Sequence, residues 1–133
     1  MLIHHCINSV FFDRLCIDVR KYRDRGNVYI TGDLNARTGE QLDYIPNIHL
    51  NCFVSTPDPD LPPCSLPARK NHDKLCNNFG LQLLTLCKEN NLCILNGRIE
   101  SGHFTYHGVH RNKPVTSTVD YVICNTESVL QIT

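Results

Sequence analysis

The segment Gly32-Asp33-Leu34-Asn35-Ala36-Arg37-Thr38-Gly39 holds the residues best suited to chemistry. On an extended backbone residues i and i+2 project to the same side, so Asp33 and Asn35 can both face one phosphate. Hydrolysing a phosphodiester takes a nucleophilic water, a base or metal that activates it, and donors for the charge on the phosphoryl oxygens. A carboxylate beside an amide supplies two of those parts. Gly-Asp-x-Asn also closes turns, because Asp and Asn bond their own backbone. The four residues by themselves leave both readings open.

Two further strings lie downstream: Gly102-His103-Phe104-Thr105-Tyr106, and Ser117-Thr118-Val119-Asp120-Tyr121-Val122. Asp120 alone reads as an aspartate solvated at a strand edge. Of the seven histidines, His103, His107 and His110 cluster, but they straddle Gly108 with no cysteine at ligand spacing, which favours surface or turn residues over a zinc site. His4 and His5 lie at the start, and His49 and His72 flank a proline-rich stretch.

The elements that must position these residues follow from periodicity. Phe12, Leu15, Cys16, Val19 and Tyr22 recur at helical spacing, which predicts a helix over 8–25 with Asn8 or Ser9 as N-cap and Gly26 as the stop. Val28 to Thr31 is a short β-rich run that delivers Asp33 to the loop at a strand's C-terminal end. Residues 40–70 hold six of the seven prolines and read as a long surface loop. Leu75, Cys76, Phe79, Leu83, Leu86 and Cys87 predict a second helix over 71–90, with Lys74, Asn78, Gln82 and Glu89 on its polar face. Leu92 to Leu95, Phe104 to Tyr106 and Thr118 to Cys124 then read as three short strands. This order predicts a layered α/β (α+β) protein with helices covering sheets.

A chain of 133 residues with 41% hydrophobic content is long and apolar enough for one domain core. Thirteen Lys+Arg balance thirteen Asp+Glu, so there is no excess basic field, and DNA affinity has to come from a local groove. Arg37, Lys70, Arg98, Arg111 and Lys113 are dispersed at the density of ordinary solvated surface, and none is assigned as a DNA contact. Eight cysteines form no C-x-x-C pair and read mostly as buried thiols. The first residues lack the charge pattern and apolar run of a signal peptide, and no apolar stretch approaches the ~20 residues of a membrane helix. An intracellular location, nuclear or cytoplasmic, without membrane contact is the expectation.

GDLNARTG resembles the GD[FL]NAR signature of the endonuclease/exonuclease/phosphatase superfamily. HFTY and STVDYV resemble that family's aromatic-Thr-aromatic strand and its S-x-[IV]-D-Y-[VI] strand, in the same order. The intervening NNFGLQLLTLCKENNLCILNGR looks like the helix-and-strand segment of LINE-type retrotransposon endonucleases. The resemblance covers nearly everything from residue 8 onward. It implies a partial four-layer αββα sandwich of the DNase I-like kind and a Mg²⁺- (or Mn²⁺-) dependent endonuclease acting on DNA. In a full-length element it also implies an accompanying reverse transcriptase domain.

Carried over by residue, the resemblance makes Asp33 the carboxylate that orients or deprotonates the attacking water, and Asn35 the amide that binds the scissile phosphate. Both are placed near the metal. Asp120 would hydrogen-bond a catalytic histidine and fix its tautomer. The family's metal-binding glutamate comes from strands upstream of the first helix, and its Ser-Asp-His motif follows the strand equivalent to 118–124. The 133 residues therefore read as a partial domain. Two alternatives stand beside this: a catalytically inactive remnant or binding fragment of that domain, and a phosphomonoesterase of the same superfamily. Inositol polyphosphate phosphatases share Gly-Asp-Leu-Asn but continue with Tyr-Arg where Ala36-Arg37 stands here. They also carry Trp-Cys-Asp-Arg where this chain has Thr118 to Tyr121, and it has no tryptophan.

Overall fold

The structure is a computed structural model that describes residues 2–45, 66–100 and 102–132, apart from the side chains of 2–9 and 130–132. The interior of the proline-rich stretch, His49, and the side chains of His4 and His5 lie outside the described residues. The elements run α1 (Leu2–Arg23), β1 (Tyr29–Asp33), α2 (Asn78–Asn90), β2 (Leu92–Ile94), β3 (Tyr106–His110), β4 (Lys113–Ser117), β5 (Asp120–Asn125) and α3 (Thr126–Ile132). The chain is a mixed α/β protein. Strands β1, β5 and β2 form an antiparallel sheet in that order, and β3 and β4 form a separate hairpin.

Alternation along the strands decides which face of the three-stranded sheet meets the helices. Tyr121 and Ile123 of β5, with Leu92 and Ile94 of β2, point into one core with Phe12 and Val19 of α1 and Leu83, Leu84, Leu86 and Cys87 of α2. The opposite face carries Tyr29, Thr31 and Asp33 of β1 opposite Cys124, Val122 and Asp120 of β5. At one end Cys93 and Cys124 are buried there with Leu66 and with Val129 of α3. The rest of the face is open along β1 and the start of β5: Tyr29, although it pairs with Cys124, is 59% exposed, and Val122 is 41% exposed.

Several sequence expectations need correction. Helix α1 reaches back to Leu2, so Asn8 and Ser9 lie inside it rather than capping it. Neither type forbids a helical interior, since each costs under ~0.7 kcal/mol relative to Ala. Tyr22 is exposed, and its ring meets Lys21 and Arg25 instead of the core. Helix α2 starts at Asn78, not Asn71, and Leu75 is left exposed. The cause is local competition: the Asn71 side chain accepts the Asp73 amide, Asp73 accepts the Leu75 amide, and Asn77 caps the helix by accepting Gly80 N–H at 2.7 Å.

The hairpin also differs from expectation. Strand β3 begins at Tyr106, the last residue of the expected run Phe104 to Tyr106, and β4, which the sequence reading does not include, contains Pro114. A two-stranded hairpin leaves one side of each strand unpaired, so a missing N–H is tolerated there. Arg111 and Asn112, both at positive φ, make the two-residue turn whose twist suits a hairpin.

The described flanks of the expected 40–70 loop are tied into the core. Asp43 and Arg98 form an ion pair with both side chains 1% exposed, at 2.7 Å. Arg69 is buried against Thr38 and the Gln41 carbonyl. Burial works against the Arg98 charge, but the Asp43 carboxylate outweighs it and holds the guanidinium above its ordinary pKa. Arg98 is therefore a core cation and not surface.

Candidate functional site

Strand register places Asp33 directly opposite Asp120. Cross-strand partners project to the same face, so both carboxylates emerge together at the open end of the sheet, and both residues are exposed. The Leu34 amide donates to the Val119 carbonyl at 2.9 Å. That makes 34/119 the hydrogen-bonded pair and 33/120 the non-bonded one, in which Cα atoms approach to about 4.5 Å. Two like charges opposed this way repel. Among the described residues neither has an ion-pair partner.

Each aspartate is held through its own backbone surroundings. Thr105 Oγ1 accepts the amides of Val119 and Asp120, at 3.0 and 3.1 Å. The Asn96 side chain donates to the Asp120 carbonyl and accepts the Val122 amide, which continues the β2 edge past its last residue. Asp33 accepts the Asn35 amide at 2.8 Å, the two-residue reach of an Asx turn. Asn35 itself sits at φ 49°, in the left-handed region. The expectation that Asn35 shares Asp33's side through extended-chain alternation is thus incorrect. The strand ends at Asp33, and the Asn35 amide reaches its exposed position through a turn.

Behind the turn the chain enters the core. Ala36, Thr38 and Gly39 are buried. The Tyr121 hydroxyl donates to the Ala36 carbonyl (2.8 Å) or the Thr118 carbonyl (3.0 Å), so it spans the Asp33 loop and the start of β5. Burial raises the Tyr121 pKa above its ordinary value. Arg37 forms a bidentate pair with Asp73, at 2.8 and 2.7 Å. Asp73 also accepts the Thr118 amide at 2.9 Å. Burial opposes the Asp73 charge, yet the Arg37 guanidinium and the amide donors together hold its pKa below the usual carboxylate value. Asn77 ties Arg37 down from the helix side: its Oδ1 accepts the Arg37 amide and its own amide donates to the Arg37 carbonyl, both at 2.9 Å.

The approach is so close that a Cβ on Gly80 would stand 1.8 Å from the Arg37 carbonyl oxygen. Only glycine fits beneath this loop.

His103 lies edge-on to His72 at 5.3 Å, and Phe104 contacts the rings of both His72 and His107. Among the described residues no three of His, Cys, Asp and Glu group closely enough to hold a metal ion. A cation of the Mg²⁺ type takes one or two protein carboxylates and fills its shell with water and phosphate oxygens; Asp33 and Asp120 are the exposed carboxylates that the register opposes here.

Sequence reasoning missed Asp43, Arg69, Asn71 and Asp73 as structural centres. A signal was present in Asn71-x-Asp73-x-x-x-Asn77, three residues that bond local backbone and oppose helix continuation. Among the described helices none is long and apolar enough to cross a membrane. No family model, curated protein or solved structure matches this chain.

Proposed function

We propose that this chain carries part of a metal-dependent phosphodiesterase site, of the endonuclease kind that acts on DNA, built on a partial DNase I-like αββα sandwich. The supporting observation is the register that opposes Asp33 and Asp120 on an exposed face, next to the Asn35 turn. The uncovered face bearing Tyr29, Thr31 and Val122 is where a second sheet of such a sandwich would pack. A bound Mg²⁺ or Mn²⁺ would supply Lewis acidity toward the phosphoryl oxygens and lower the pKa of a bound water. Asp33 and Asp120 would hold the cation or its waters. Asn35 would present its amide to a phosphate oxygen. The resemblance gives Asp120 a further role, orienting an imidazole that completes the site.

The test is nicking of supercoiled plasmid in Mg²⁺. The 133 residues alone are expected to nick no faster than background, because groups that act as a unit are not replaced by a subset of them. The same chain, extended by segments that bring a metal-binding glutamate and a histidine to the site, is expected to nick and to lose that activity on Asp33→Ala or Asn35→Ala. A folded extended chain that stays inert overturns the reading. It would favour the catalytically inactive remnant, for which the Asx turn that Asp33 closes is the supporting observation, since it gives that carboxylate a structural part.

A further inference from the structure

We propose that Asp73 is the positioning residue of this site: it joins the Asp33 loop to the start of the Asp120 strand and sets how the two carboxylates stand against each other. The role of the site rests on the function proposed above; the linkage itself is geometric.

Asp73 belongs to neither strand. It is 2% exposed and lies in the segment before α2 that sequence periodicity assigned to a helix. Its two oxygens receive four bonds. Oδ2 accepts Arg37 Nε–H at 2.8 Å and the Thr118 amide at 2.9 Å, and Oδ1 accepts Arg37 Nη2–H at 2.7 Å and the Leu75 amide at 3.1 Å. Arg37 follows Asn35 by two residues, and Thr118 precedes Asp120 by two. One carboxylate is therefore bonded within two residues of both halves of the site.

The linkage is rigid for three reasons. A bidentate guanidinium–carboxylate pair fixes orientation as well as distance. The Arg37 backbone is bonded to Asn77 in both directions, so the guanidinium cannot shift without moving the cap of α2. Asn71 Oδ1 accepts both the Asp73 amide (3.1 Å) and the Thr118 hydroxyl (3.3 Å), which closes a second connection between the same segments. Cation sites depend on such outer contacts, whose loss typically costs about 10–100-fold in metal affinity.

The experiment is Mn²⁺ binding to the full chain by water-proton relaxation, with ¹H–¹⁵N spectra recorded alongside. Asp33→Asn marks binding at the site. Asp73→Asn is expected to weaken Mn²⁺ binding about 10-fold while the chain stays folded, and to shift the amide signals of both Asn35 and Asp120. If Asp73 serves only to neutralise Arg37, the double variant Arg37→Met/Asp73→Asn recovers wild-type affinity, and that recovery overturns the proposal. Continued weak binding in the double variant supports it. Should Asp73→Asn unfold, Arg37→Met, which removes a partly exposed side chain, carries the same expectation of weakened binding and shifted Asn35 and Asp120 signals. If wild type and Asp33→Asn bind Mn²⁺ equally poorly, the function proposed above has failed. The positioning role is then decided by the spectra: shifts confined to residues 71–75 overturn it, and shifts reaching Asn35 and Asp120 sustain it.

Discussion

Asp43 and Asp73 are buried and each is bonded to an arginine, whereas Asp33 and Asp120 stand exposed and face one another. The first two hold loops onto the core, Asp43 through Arg98 and the Ile94 amide, Asp73 through Arg37 and the Thr118 amide. The second two have no such role toward each other, and their arrangement raises the free energy of the fold. Carboxylates of one residue type thus take opposite parts, and burial with a paired cation separates them. Groups arranged against stability at an exposed strand end are where binding is to be sought.

The comparison breaks most readily at the buried side. Asp43→Ala leaves the Arg98 charge in the core without its partner, and the expected loss is about 3–5 kcal/mol, read from the urea midpoint. A loss below about 1 kcal/mol, the level of a surface pair, would mean that the Asp43–Arg98 pair is hydrated in solution and that the contrast with Asp33 and Asp120 is false.

Next is the joint between α2 and the Asp33 loop. Gly80→Ala forces a methyl into the Arg37 carbonyl, and an overpacking cost of about 1–3 kcal/mol is expected. Thermal unfolding of the variant measures it. An unchanged midpoint would show that the loop lifts off the helix at little cost.

The acid limb of stability sharpens the contrast in a different way. The Asp73 pKa is lowered in the folded chain, so its contribution is present above the unfolded carboxylate pKa and is lost as pH falls through the folded one. Wild type is expected to lose stability in acid more steeply than Asp73→Asn, as measured by denaturation at stepped pH below about 4. Parallel curves would show that Asp73 is not the carboxylate being neutralised.

The smallest effect has the opposite sign. Asp120→Asn removes one of two facing like charges and is expected to stabilise by about 0.2–1 kcal/mol, measured with chelator present at low salt. Added salt should reduce the gain. A destabilised Asp120→Asn would mean that the carboxylate makes a favourable contact in the absence of cation, and the two classes of aspartate would no longer differ in kind.

Periodicity in the sequence was enough to locate the apolar faces of α1 and α2 and the strands β1, β2 and β5, because burial of a repeating face is a local pattern. The end of a strand near Gly32-Asp33-x-Asn35 was legible too, but the loop was expected to begin before Asp33, whereas Gly32 and Asp33 are paired strand residues and the turn follows them. The sequence could not show that Asp33 lies opposite Asp120, since register is set by pairing between segments 87 residues apart. Nor could it separate Asp43 and Asp73 from any solvated aspartate. A buried charge differs from an exposed one only by its surroundings, and those come from Arg98, Arg37 and Thr118, residues distant in the chain that tertiary packing alone brings together.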